Sequence, residues 1–103
     1  MIFTIKAVYR NKLCQLHKED GPAIEYTDGH KEWYINGELH RLDGPAIEWP
    51  DGGKSYYING KRHREDGPAI EGHNGYKSWH VNGINIGNTE QMFLLFIKMS
   101  KEG

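Results

Sequence analysis

A 23-residue period is the strongest constraint on what this chain of 103 residues can fold into. Aligned on that period, the sequence divides into three units, 16–38, 39–61 and 62–84, that agree column by column. One column is His17, His40 and His63; another is Asp20, Asp43 and Asp66; the Gly-Pro-Ala-Ile-Glu run begins at Gly21, Gly44 and Gly67. Further along stand the aromatics Trp33, Tyr56 and Trp79, then Asn36-Gly37, Asn59-Gly60 and Asn82-Gly83. A fixed period of this length marks a repeat architecture, in which each unit buries its apolar side only by stacking on its neighbours. Residues 1–15 read as a partial N-terminal unit, because Tyr9-Arg10-Asn11-Lys12 follows the aromatic-x-Asn-Gly pattern with Lys12 in the glycine place. Terminal repeats are commonly irregular in this way, so the chain is expected to form a single domain.

Each unit reads as a β-hairpin. Asp28-Gly29, Asp51-Gly52 and Asn74-Gly75 are the residue pairs that accept positive φ at both central positions, which predicts two-residue type I′ turns. The Asn-Gly pairs would then make the next reversals, and the strands would meander antiparallel. A two-residue turn at Asp28-Gly29 sets Ile24 opposite Trp33 and Ala23 opposite Tyr34. Alternation then predicts an apolar face of Ile24, Tyr26, Trp33 and Ile35, repeated as Ile47, Trp49, Tyr56 and Ile58 and as Ile70, Trp79 and Val81. The opposite face would carry Glu25, Glu32, Tyr34, Glu48, Ser55, Tyr57, Glu71, Ser78 and His80. After Gly87 the pattern changes to a helix over 88–100, capped by Asn88 or Thr89, with Gln91 in capping-box spacing and Lys98 and Lys101 favouring the C-terminal dipole. The predicted fold class is therefore mainly β, an antiparallel meander of repeated hairpins with one C-terminal helix. Met92, Leu95, Phe96 and Met99 follow helical spacing, while Phe93, Leu94 and Ile97 widen the apolar sector almost all round. That helix is either a plain cap or, with Met92, Phe93, Leu95, Phe96 and Met99 in part turned outward, a homodimer surface.

Composition narrows the function classes. Lys and Arg number 13 against 14 Asp and Glu, a formal net charge of −1 that gives no overall electrostatic case for nucleic acid. Cys14 is the single cysteine, so neither an intrachain disulfide nor a cysteine-based zinc site is expected. Met1 to Lys6 lacks the charged-then-apolar pattern of a signal peptide. The apolar stretch Met92 to Ile97 is far short of the roughly 20 residues that cross a bilayer. The expectation is a cytoplasmic chain with no membrane association.

The His and Asp columns are the chemically tempting residues, since imidazole beside carboxylate serves as base and orienter or as metal ligands. An active site is normally one constellation, whereas these residues recur once per unit, as a structural loop signature does. The Asp is expected to accept backbone N–H bonds ahead of Gly-Pro, and the His to bond a carbonyl of the neighbouring unit. No third convergent metal ligand, P-loop or Gly-x-Ser-x-Gly pattern is present, so neither enzyme activity nor a cofactor is expected. Tyr34, Tyr57 and His80, beside Glu25, Glu48 and Glu71, form the candidate protein-binding strip, because exposed aromatics commonly anchor protein interfaces. The alternative is a small-ligand sponge for a signalling nucleotide, with Arg41, Arg64, His40 and His63 as the candidate ligand residues and Lys18, Lys61 and Arg62 along the same edge. The acidic neighbours Glu19 and Glu65 weaken that edge.

The order aromatic, Asn-Gly, His and then Asp-Gly, as in Trp33 to His40 followed by Asp51-Gly52, resembles MORN-type repeats over most of the chain. The resemblance implies a twisted ribbon of β-hairpins used for protein contacts and not an active site. The loop His40-Arg41-Leu42-Asp43-Gly44-Pro45 departs from the simpler glycine-spaced segment of that family, and lipid binding is not carried over. Units of the form His-Arg-x-Asp-Gly-Pro-Ala resemble the variant repeats of small phage and bacterial proteins. That likeness implies a phage-encoded inhibitor of a host defence protein, anti-CRISPR-like or similar, acting in the host cytoplasm.

Overall fold

The Asn-Gly pairs, and not the Asp-Gly pairs, are the two-residue turns. Asn36, Asn59 and Asn82 have φ of 48°, 50° and 51°, and the glycines that follow have 83°, 80° and 81°. Positive φ at both central positions is the type I′ signature, which asparagine tolerates better than other non-glycine residues. At the Asp-Gly sites only the glycine is left-handed: Gly29, Gly52 and Gly75 have φ of 98°, 94° and 88°. Tyr26 N donates to His30 O at 2.9 Å and Gly29 N to Tyr26 O at 3.1 Å, enclosing a three-residue loop. Asp28, Asp51 and Asn74 each accept, through Oδ1, the backbone N–H two residues on, at 3.0, 2.9 and 3.2 Å. This local bond holds the Asx residue out of the left-handed region and converts the expected two-residue turn into a three-residue one.

The extra loop residue shifts the register by one, and a one-residue slip moves every side chain to the other face. In the computed structural model, which describes residues 4–102, Ile24 pairs with Glu32 and Glu25 with Lys31, so the expected Ile24 to Trp33 pairing is corrected. The strands are β1 (Ile5–Val8), β2 (Ile24–Tyr26), β3 (Lys31–Glu32), β4 (Tyr34–Ile35), β5 (Glu38–Leu39), β6 (Ile47–Glu48) and β7 (Lys54–Ser55). They continue as β8 (Tyr57–Ile58), β9 (Lys61–Arg62), β10 (Ile70–Glu71), β11 (Lys77–Val81) and β12 (Ile84–Gly87), and α1 (Glu90–Glu102) follows. An antiparallel eight-stranded sheet runs β1-β2-β3-β6-β7-β10-β11-β12, and β4-β5 and β8-β9 form separate two-stranded hairpins beside it. The chain is thus mainly β with one C-terminal helix, drawn out into a ribbon of 44 × 32 × 18 Å. Of the expected N-terminal unit, residues 1–3 lie outside the described residues.

Register assigns the faces. One row across the sheet reads Ile24, Glu32, Ile47, Ser55, Ile70, Ser78, each paired with the next. The neighbouring row, on the other face, reads Glu25, Lys31, Glu48, Lys54, Glu71, Lys77, an alternating charge ladder of cross-strand pairs. Ser55 and Ser78, expected on the face opposite the apolar one, are buried in the same row as the isoleucines. The innermost column is the smallest one: Ala23, Ala46 and Ala69 have no exposed surface. Their backbones bond on both sides, Ala46 N to Ser55 O at 2.8 Å and Trp33 N to Ala46 O at 2.7 Å, and the equivalents recur at Ala23 and Ala69.

The histidines lock successive Asn-Gly hairpins together, each bond running from the start to the end of one 23-residue unit and not to the neighbouring unit as expected. Asn36 N donates to His17 Nδ1 at 2.9 Å, Asn59 N to His40 Nδ1 at 2.9 Å and Asn82 N to His63 Nδ1 at 3.0 Å. The expected partner was a carbonyl; the histidine is instead the acceptor, which fixes Nδ1 as the unprotonated nitrogen. Beside each of these bonds Gly37, Gly60 and Gly83 donate to Leu16, Leu39 and Arg62 carbonyls at 2.8 Å. Each Asn-Gly hairpin is therefore clamped to the segment that ends the hairpin before it.

The helix begins two residues later than expected. Met92 N donates to Thr89 Oγ1 at 3.3 Å, so Thr89 is the N-cap and the capping-box reading at Asn88 is superseded. Phe93 is buried against Trp79, with ring centroids 6.4 Å apart.

Candidate functional grooves

The loops that join the sheet to the Asn-Gly hairpins are built around a cation. Arg41 Nε donates to Asp43 at 3.1 Å, and one terminal nitrogen, Nη1, donates to Pro45 O at 3.0 Å and to Glu48 at 3.2 Å. Arg64 repeats the pattern with Asp66 at 2.9 Å, Pro68 O at 3.1 Å and Glu71 at 2.7 Å. Asp43 and Asp66, expected to accept backbone N–H groups, accept guanidinium instead. Each guanidinium also lies over an aromatic ring, Arg41 3.9 Å from the Trp33 centroid and Arg64 4.1 Å from that of Tyr56. In the first unit Lys18 takes the same place over Tyr9, at 3.9 Å. The glycine column follows from this stack: a Cβ on Gly44 would stand 2.9 Å from Arg41 Cζ, and one on Gly67 2.8 Å from Arg64 Cζ. Burial pulls the Arg64 pKa down, but its bonds to Asp66 and Glu71 outweigh that and hold it above the ordinary value.

Successive loops stand as ridges with grooves between them. One groove, of about 780 Å³, has walls at Lys18 to Gly21 and His40 to Asp43 and a floor of Trp33 and Ile35. The other, of about 710 Å³, has walls at Arg41 to Gly44 and His63 to Asp66 and a floor of Tyr56 and Ile58. Every lining residue of the second is the first groove's residue displaced by 23. The two share the ridge Arg41-Leu42-Asp43, whose Leu42 is 81% exposed. One period further on there is no fourth loop. Gly87 stands where an arginine would, α1 follows, and Phe93 is the residue set against Trp79. A Cβ on Gly87 would lie 2.9 Å from Met92 Sδ, so the helix closes tightly on that position.

The sequence-predicted residues are redistributed. Arg41, Arg64, His40 and His63 do come together in the groove walls. Their polar atoms are engaged: the Nε and Nη1 atoms of both arginines bond carboxylates and carbonyls, and Nδ1 of both histidines accepts a backbone N–H. Tyr34, Tyr57, His80, Glu25, Glu48 and Glu71 do not form one strip. The glutamates lie in the lysine ladder on one face, whereas Tyr34 bonds Glu32 of the other row at 2.7 Å. Tyr57 Oη accepts from Arg62 Nε at 3.1 Å, and both tyrosines are half-buried. Burial, then the bond to Glu32, pushes the Tyr34 pKa well above its ordinary value. His80 is buried, with Nε2 2.9 Å from Ser78 Oγ, and burial followed by the Arg62 charge lowers its pKa. Of the helix residues, Phe93 is inward, Phe96 half-buried, and Met92, Leu95 and Met99 exposed.

The groove floors and the Leu42 ridge escaped the sequence reading. Their signal was present, because the columns Trp33/Tyr56 and Ile35/Ile58 recur at 23 residues, but the register slip had assigned them to a covered core. Among the described residues no cluster of His, Cys, Asp and Glu could hold a metal ion. No described helix is long and apolar enough to cross a membrane. No protein-family model, curated protein or solved structure matches the chain.

Proposed function

We propose that this chain is a non-enzymatic protein-binding repeat module whose groove-bearing loop face makes the contacts. The observation that carries the reading is the duplication: two open grooves with linings related residue for residue by one period offer a partner the same contact twice. Catalysis concentrates different groups at one point, whereas repetition of one lining serves an elongated or multivalent contact. The engaged arginines favour this reading over the nucleotide sponge, since the Nε and Nη1 donors that would face a phosphate already bond Asp43, Glu48, Asp66 and Glu71. The MORN-type resemblance agrees with a contact role. It is also the sole support for the more concrete form, a phage-encoded inhibitor of a host defence protein in the host cytoplasm. The outward row Met92, Leu95 and Met99 of α1 is proposed as the surface that joins two copies.

The test is retention of a partner from cytosolic extract by the immobilised chain, compared with Leu42→Asp. That substitution alters the ridge shared by both grooves at a side chain already in solvent, so folding is expected to survive. A partner retained by the parent and lost by the variant supports the reading; retention unchanged by the variant removes the grooves from it.

A further inference from the structure

The proposed contact role leaves open what chemistry the grooves accept, and three features of them converge. The first is spacing. One period contributes two strands to the sheet, so equivalent points in the two grooves lie about 9.6 Å apart at the usual strand separation of about 4.8 Å. Same-face residues of a bound β-strand recur at about 6.6 Å or 13 Å and miss that spacing. A polyproline II segment turns once in three residues at about 3.1 Å each, or about 9.3 Å, and meets it. An α-helix offers same-face residues about 10.5 Å apart, on a cylinder about 10 Å wide that would ride on the ridges.

The second feature is the floor. Trp33 and Tyr56 each carry a guanidinium on one ring face, and the rest of each ring with the isoleucine of the same lining makes the apolar part of the groove, a footprint suited to a compact ring. The chain sets such a ring against the third member of this column itself, where Phe93 meets Trp79. The third is charge. Glu19 and Glu65, one in each groove, are 85% and 75% exposed, and among the described residues the ionic neighbour of each is a histidine, at 3.7 and 3.9 Å. Asp43 and Asp66 extend the acidic rim, with side chains 87% and 86% exposed although each accepts from its arginine.

We propose that the two grooves bind an extended, proline-rich, basic segment of a partner protein, one proline ring in each groove and the flanking Lys or Arg side chains on the Glu19 and Glu65 rim. This rests on the protein-binding reading and gives it a partner class. Polyproline II segments bring little ordering cost to binding and commonly dock on aromatic-lined grooves.

The experiment is anisotropy titration of the full chain with a labelled peptide of Pro-Pro-Arg repeats. Its controls are Pro-Pro-Glu repeats, flexible Gly-Ser-Arg repeats of equal charge, and an Ala-rich basic helix. Binding of Pro-Pro-Arg at least tenfold tighter than every control is expected. The double variant Glu19→Lys with Glu65→Lys should weaken it at least tenfold with an unchanged far-UV spectrum. The same charge change at Glu38 and Glu90, away from the grooves, should weaken it far less. Equal binding of Pro-Pro-Arg and Gly-Ser-Arg, or preference for the helix, overturns the proposal. A chain that retains a partner from extract yet ignores the Pro-Pro-Arg peptide overturns only the partner class; one that does neither sinks the protein-binding reading as well.

Discussion

At the scale of single residues, the repeat is held by side chains that its own columns make interchangeable, and the exceptions are informative. Gly44 and Gly21 occupy one column, yet a Cβ at Gly44 meets Arg41 Cζ at 2.9 Å while one at Gly21 meets Lys18 at an ordinary 3.6 Å. Neither glycine has positive φ, so backbone strain does not enter. Gly44→Ala is therefore expected to destabilise by about 1–3 kcal/mol through displacement of the guanidinium, and Gly21→Ala to be neutral or slightly stabilising. Urea denaturation of the two variants checks the contrast. His80 is another exception, standing in the column of Tyr34 and Tyr57. Its folded pKa lies below the ordinary 6.5, so the unfolded chain takes up the proton first. The stability it contributes is whole above about pH 6.5 and is lost as pH falls toward the folded value. His80→Tyr should narrow the difference in urea midpoint between about pH 7.5 and about pH 5; an equal difference in parent and variant would contradict this assignment.

At the scale of elements, two kinds of turn alternate along the ribbon, and the chemistry of one residue separates them. An Asx side chain that bonds the amide two residues on keeps its own backbone right-handed and makes the loop three residues long. Asn36, Asn59 and Asn82 sit instead in the left-handed region while their N–H groups bond histidine. Asn59→Ala keeps that N–H but puts at φ 50° a residue without asparagine's tolerance of the left-handed region, which costs about 1 kcal/mol, whereas Asn59→Gly carries no such penalty. The alanine variant is expected to unfold at lower denaturant than the glycine variant, and the reverse order would refute the turn assignment. Both turn pairs were legible in the sequence as turns. Their lengths were not, because Asp-Gly and Asn-Gly satisfy the same statistical signal and differ only in which hydrogen bond is formed.

At the scale of the whole molecule, the ribbon ends differ. The eight-stranded sheet stops at β12, and α1 stands where a further loop would close the next groove, with Phe93 on Trp79 as the seal. Phe93→Ala removes a buried ring and is expected to cost about 3 kcal/mol or more and to red-shift tryptophan emission. The outer side of the same helix carries Leu95 and Met99 at 59% and 62% exposure. Light scattering is expected to give twice the 11.9 kDa chain mass for the parent and a single chain for the Leu95→Glu, Met99→Glu variant. A monomeric parent would leave α1 as a cap alone.

The sequence by itself determined the period, the antiparallel β class, the terminal helix and the structural duty of the histidines, because each follows from residue types recurring at fixed separation. Tertiary structure alone decided which face each side chain takes, since one extra loop residue inverts the alternation. It also decided that Glu25, Glu48 and Glu71 belong to a lysine ladder and that Arg41 and Arg64 are fixed inside their loops. The grooves exist only when neighbouring units stack, and within each groove the acidic rim and the aromatic floor come from residues 9 to 14 positions apart, on different elements, that no local pattern joins.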